Sequence, residues 1–256
     1  MTDIWKHIKI DHEKVKNNPY LNPEVKVDEP VPEPTSIEGQ YILMDKADTY
    51  AKGVHALQEA CSKVHPTYNL PDGSKIYRPL TFKENIEARV NDYESNGKRL
   101  FDLWLDSCTG IAYKGKSSKF KIIPQSLNLI TIDKDFNSSY LDINYNNLEG
   151  MELDQDKAKY NELLSKQEVL NHPAWLTALE DDKALLKAYT DIVFAEKNED
   201  KLMGFWTENK PDNDQLRALF VYYLDISSSA FGSIDLCNGG SSLQVAQNNP
   251  TGVRKK

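Results

Sequence analysis

The sequence is poor in the features that mark several large protein classes. Its 3 cysteines, Cys61, Cys108 and Cys237, are widely spaced with no CxxC pair, so neither a disulfide framework nor a zinc site is expected and they read as free thiols. No apolar run approaches the roughly 18 residues of a membrane span, and the start "MTDIWKHIKIDHEK" lacks the positive-then-apolar order of a secretory signal. The expectation is a cytoplasmic protein without membrane insertion. Basic residues are in deficit: 31 Lys and Arg against 39 Asp and Glu leave a net charge of −8. That argues against nucleic acid or anionic membrane as partners, since either needs clustered cations. There is no phosphate loop, dinucleotide fingerprint, serine elbow or EF-hand spacing, so no cofactor or metal is expected.

What remains is ordinary globular composition, 39% hydrophobic and 10% aromatic over 256 residues, enough to bury a substantial core. Residues 17–38 concentrate Pro and Glu with little apolar periodicity, so residues 1–38 read as an extended arm. Residues 39–247 read as one packed domain and 248–256 as a tail.

Within that domain "TFKENIEARVNDYESNG" (81–97) predicts a helix. Thr81 and Glu84 stand at capping-box spacing, Phe82, Ile86, Val90 and Tyr93 repeat every three or four residues, and Gly97 is placed to end it. Further helices are expected over 45–64, 98–107, 156–170 and 173–197, the last with Pro173 in its first turn. Short β-branched runs bounded by turn residues predict strands at "GIAY" (110–113), "KFKIIP" (119–124) and "LNLITI" (127–132). "KLMGFW" (201–206), "LRALFVYYL" (216–224) and "SSLQVA" (241–246) predict three more. Helices and strands come in blocks, which favours an α+β fold, helices packed on a small antiparallel sheet, over a doubly wound one.

Few residues suggest catalysis. Cys108 lies near Asp106, but His55, His65 and His172 sit in no protease-like context, so a buried structural thiol is expected and not a hydrolase. Asp3, His7 and Asp11 follow at i, i+4 spacing, yet the outer pair would lie about 12 Å apart on a helix, too far to share one ion. A solvated turn is the expectation there.

One local absence points elsewhere. "YYLDISSSAFGSIDLCNGGSS" (222–242) contains no Lys, Glu, Gln, Met or Trp. Turn chemistry accounts for its Ser, Gly, Asn and Asp, but not for Ile226, Phe231, Ile234 and Cys237. Tyr and Phe supply rigid contact area, Ser, Gly and Asn supply adaptable hydrogen bonds, and the long flexible side chains that lose most entropy on binding are missing. Every residue in the stretch can also be written with a codon ending in a pyrimidine, as Asn codons are after their adenines are replaced. Leu224, Ala230, Gly232, Leu236, Gly240, Leu243 and Val245 have the look of a fixed frame between exchangeable positions.

In this the segment "RALFVYYLDISSSAFGSIDLCNGGSSLQVAQ" resembles the variable region of proteins diversified by diversity-generating retroelements, in particular the archaeal branch. The resemblance implies a C-type lectin fold with a variable region at about 217–246. It implies ligand contacts at Tyr222, Tyr223, Asp225, Ile226, Ser227, Ser229, Phe231, Ser233, Ile234, Asp235, Cys237, Asn238, Gly239 and Ser242, with Tyr222, Tyr223 and Phe231 as aromatic anchors. The Glu-Pro-Asn and Gln-Pro-Asp motifs of calcium-dependent sugar-binding lectins are absent, so that activity is not implied. The expected function is non-enzymatic binding of a ligand, a protein surface by the make-up of the stretch. The alternative is a structural or assembly protein, viral in one version, that uses its Pro-rich arm for oligomer contacts.

Overall fold

Two runs that are buried on both sides set the centre of the molecule. All four residues of Gly110–Tyr113 and all four of Gln215–Ala218 are buried, as strands covered on both faces must be. The computed structural model describes residues 35–37, 41–44, 47–60, 64–65, 67–70, 72–96, 99–225, 227–239 and 242–246. Gly110–Tyr113 pairs antiparallel with Lys119–Ile123 on one side and with Gln215–Ala218 on the other. Leu141–Asp142 and Met151–Asp154 complete a five-stranded antiparallel sheet.

Side chains alternate across this sheet, as the two-residue period of a strand requires. Ile111, Tyr113, Phe120 and Ile122 face a cluster that includes Phe82 and Ile86 of helix Phe82–Asn96, Trp175 of Pro173–Ala178, and Tyr189 and Val193 of Lys183–Lys197. Ala112, Leu216 and Ala218 face a second cluster with Tyr50 and Val54 of helix Tyr50–Ala60, Trp206, Phe220, Tyr222, Phe231 and Leu236. The helices thus pack on an antiparallel sheet, the α+β arrangement expected. Elsewhere Thr35–Ile37, Tyr41–Met44, Ser242–Ala246 and Val64–His65 form a four-stranded sheet. Thr35–Ile37, read from sequence as the end of the arm, is therefore strand.

The capping box forms: Thr81 N–H donates to Glu84 Oε2 at 2.7 Å and Glu84 N–H to Thr81 Oγ1 at 3.1 Å. Gly97 lies outside the described residues, as do Asp3, His7 and Asp11.

Several elements differ from expectation, among them the helix expected over 45–64, which spans Tyr50–Ala60 with Val64 in a strand. "LNLITI" contains the short helix Leu127–Ile130, because Ser126 and the following apolar pair Leu129 and Ile130 start a helical turn against the core. Residues 98–107 form only the 3₁₀ turn Arg99–Asp102; beyond it Leu105 exchanges both backbone hydrogen bonds with Val221, at 3.0 and 3.2 Å, and is held extended. Residues 156–170 are α-helical only over Lys166–Leu170, with a 3₁₀ turn at Gln155–Lys157. Asn161, at φ 59°, takes the Thr207 N–H on its side chain, and Tyr160 packs edge-on to Phe120, so the upstream half is pinned to the sheet. The long helix 173–197 is two, broken where Glu180 and Asp181 adopt positive φ and Asp182 caps the second by accepting the Leu185 N–H.

Candidate functional site

The stretch 222–239 is mounted on the third sheet. Phe220–Val221 pairs antiparallel with Ala230–Phe231, which also lies parallel to Phe205–Trp206. Residues 222–229 form the loop between the two antiparallel strands, and residues 232–239 run onward without regular structure toward Ser242–Ala246. The strand expected through residue 224 ends at Val221: Tyr222 N–H still bonds in register to the Ser229 carbonyl at 3.0 Å, but Leu224 N–H leaves for the Phe101 carbonyl at 2.7 Å.

Under the loop lies a continuous row of rings. Phe231 stacks on Trp206 at 5.6 Å and 8°, and Tyr222 meets Phe231 at 5.0 Å. Tyr223 stacks on Tyr222 at 4.3 Å and 24°, and Trp104 closes the side against Tyr222 and Phe220. Such ring pairs add to the area they bury. Tyr222 is 6% exposed and Phe231 7%, so these two are the platform and not its outer surface. Burial, and then the bond with the Tyr223 side chain, push the Tyr222 phenol far above its ordinary range, and it stays protonated.

The implied contacts accordingly divide. Tyr223, Ser233, Ile234, Asp235 and Cys237 are half-buried, and Asp225 and Asn238 are exposed. Tyr223 and Ile234 both rest on the same buried aromatic cluster. Ser227 and Ser229, in contrast, are buried with Tyr222 and Phe231, and Ser229 Oγ accepts the Gly204 N–H at 2.8 Å, serving the backbone. Gly239 is buried too: a Cβ there would lie 2.8 Å from the Thr49 carbonyl and closer still to that of Ala47. Tyr222, Ser227, Ser229, Phe231 and Gly239, implied by the resemblance as contacts, are thus placed in the buried layer of the stretch. Ile226 and the Ser242 side chain lie outside the described residues. Of the frame, Leu224, Ala230, Gly232 and Leu236 are all buried, and a Cβ on Gly232 would meet Ile111 at 2.8 Å and Tyr113 Oη at 2.9 Å.

Three neighbours of the surface were not legible as such. Arg217, itself buried, donates to Asp235 Oδ1 at 2.5 Å and to the Ser233 carbonyl at 3.0 Å, and lies 3.4 Å from Glu208 Oε2. Lys197, at the end of its helix, reaches Asp225 Oδ1 at 3.2 Å. Trp104, expected on a helix face, flanks the ring row instead. The alternation in "QLRA" placed Arg217 opposite Leu216 and Ala218, but no sequence signal joins either cation to a carboxylate in the loop.

Cys108 has the surroundings of a structural thiol. It is fully buried, and burial pushes it up to about 12 despite the Arg78 guanidinium 3.8 Å away, so it is protonated at neutral pH. His172 Nε2 is taken up by the Lys159 carbonyl and His55 Nε2 by that of Ile132. Among the described residues no helix is long and apolar enough to cross a membrane.

No protein-family model matches the chain, and no curated protein sequence matches it. A solved structure does: that of a nanoarchaeal protein, described as showing accommodation of massive sequence variation by the C-type lectin fold. The superposition has a TM-score of 0.55 at 14% sequence identity and covers 76% of this chain and 94% of that one. The likeness shows the fold of this chain to be the C-type lectin fold.

Proposed function

We propose that this chain is a non-enzymatic ligand-binding protein, the target of a diversity-generating retroelement. Its lectin-type scaffold presents an exchangeable surface at Tyr223, Asp225, Ser233, Ile234, Asp235, Cys237 and Asn238. The observation that carries this reading is the division of one short stretch into buried residues that hold a ring platform and half-buried or exposed residues that lie over it. Supporting it, the nanoarchaeal neighbour with this fold is one that accommodates massive sequence variation. The outward set combines an aromatic anchor, a branched apolar group, carboxylates and a small amide. That is the chemistry of a paratope for a protein surface, where shape and a few anchors supply affinity.

Sequencing the encoding locus tests the proposal. It predicts a second, near-identical copy of the segment for residues 217–246 beside a reverse transcriptase gene. Adenines in that copy should fall at the codons of the outward residues and spare those of Phe220, Val221, Ala230 and Gly232. A locus without such a copy contradicts the retroelement assignment.

A further inference from the structure

Four buried side chains from outside residues 222–239 reach into the stretch and end on its main-chain carbonyl oxygens. The Arg89 guanidinium, fully buried, donates to the carbonyl of Tyr222 at 2.8 Å, to that of Val221 at 3.5 Å and to that of Leu103 at 2.6 Å. It also donates to Tyr189 Oη at 2.9 Å, and that hydroxyl donates in turn to the Ser228 carbonyl at 3.2 Å. Arg89 and Tyr189 thus hold the two ends of the first loop, and Ser228 is held at φ 48°, a conformation most residues avoid. In the second segment the Tyr113 hydroxyl donates to the Gly232 carbonyl at 3.0 Å, and Arg217 to that of Ser233 at 3.0 Å.

The N–H groups of the stretch follow the same rule. Ala230 donates to the Gly204 carbonyl, Gly232 to that of Trp206 and Leu236 to that of Ser139, at 3.1, 2.8 and 2.9 Å. Outward side chains take almost no part. The exceptions are the Asp235 carboxylate on Arg217, which keeps Glu208 and the Ser233 carbonyl if Asp235 is exchanged, and Asp225, whose carbonyl and carboxylate both accept from Lys197.

We infer that Arg89, Tyr189, Tyr113 and Arg217 are positioning residues: they fix the binding stretch through groups that every amino acid carries, making its backbone indifferent to the side chains displayed. The inference rests on reading the stretch as an exchangeable surface. It supplies what such a surface needs, a fixed shape under changing chemistry.

The test uses the full chain with Tyr223, Asp225, Ile234 and Asn238 randomised together and displayed on cells. The folded fraction is read by protease resistance in four backgrounds: unchanged, Tyr189→Phe, Tyr113→Phe and Tyr50→Phe. Tyr50 is the control, because its hydroxyl donates at 3.0 Å to the carbonyl of Ser107, outside the stretch. The expected result is broad tolerance in the unchanged background, a fall of about fivefold in Tyr50→Phe, the factor that loss of one such bond carries, and a larger fall in the other two, where the stretch also loses its backbone anchor. In the parent sequence, Tyr189→Phe should also speed amide exchange at Leu224, Ser227 and Ser228 while Lys119–Ile123 stays protected. Tyr113→Phe should do the same at Gly232 and Leu236. Rejection of the library in the unchanged background would refute the exchangeable surface itself. Tolerance there, with equal losses in all three Phe backgrounds and unchanged loop exchange, would overturn the positioning role alone.

Discussion

Gly239 and Asn238 are neighbours in the chain with opposite freedoms. At Gly239 any Cβ runs into the backbone of residues 47–49, and at Gly232 it runs into Ile111 and the Tyr113 hydroxyl. Asn238 is exposed, and Asp225 is exposed apart from its pairing with Lys197, a surface bridge of the kind worth at most about 1 kcal/mol. Gly239→Ala should therefore cost about 1–3 kcal/mol through crowding that the backbone cannot relieve. Asp225→Ala and Asn238→Ala should each stay within about 0.5 kcal/mol, a shift of roughly 2 °C or less in Tm. Thermal unfolding of the three variants checks this, and a Gly239→Ala protein as stable as the parent would refute the close approach. Codon chemistry alone could not have separated these positions, because Gly, Asn and Asp are equally accessible to adenine replacement. The distinction lies in which backbone comes near, and that is a long-range fact.

The helix Phe82–Asn96 is the element whose local rules and tertiary setting agree best. Its capping box is doubled by Arg78, which grips Glu84 with two nitrogens at 2.7 and 3.0 Å. Burial alone would raise the Glu84 carboxyl, but the Arg78 guanidinium and then the Thr81 groups outweigh it and hold the carboxyl below its ordinary value. A depressed carboxylate stabilises the fold fully above its unfolded value near 4.3, and that contribution is lost as pH falls through the lower folded value. Glu84→Gln should thus lose about 1–3 kcal/mol near neutral pH, and the gap from the parent should narrow as pH drops below about 4. Urea titrations across that range measure it; a gap independent of pH would show that the charge is not the cause.

This helix was legible because cap, period and partner are all local. The run "LNLITI" was not, since a short apolar segment fits a strand or a helical turn equally well. Residues 156–163 failed for a different reason. Asn161 and Tyr160 are committed to Thr207 and the sheet, and the helix starts only at the Ser165–Glu168 capping box.

In the whole molecule, the order of elements disclosed an α+β fold, and the composition of one stretch disclosed where its surface chemistry lies. The stretch showed which residue types it admits. It could not show that Tyr222, Ser227, Ser229, Phe231 and Gly239 turn inward, because the loop has no period from which facing can be read. Nor could it reveal that Arg89 and Tyr189, from helices far off in sequence, hold its carbonyls. The resulting account is of a rigid ring platform fixed through main-chain bonds, with exchangeable residues outside it.

The most direct test of that account is a saturation scan of folded stability at every position from Phe220 to Gly239 in the full chain. The profile should be sharply two-valued. Most substitutions should be tolerated at Tyr223, Asp225, Ser233, Ile234, Asp235, Cys237 and Asn238, and most should unfold the protein at Phe220, Val221, Tyr222, Ser229, Ala230, Phe231, Gly232, Leu236 and Gly239. Uniform tolerance along the stretch, or intolerance concentrated at the outward positions, would contradict it.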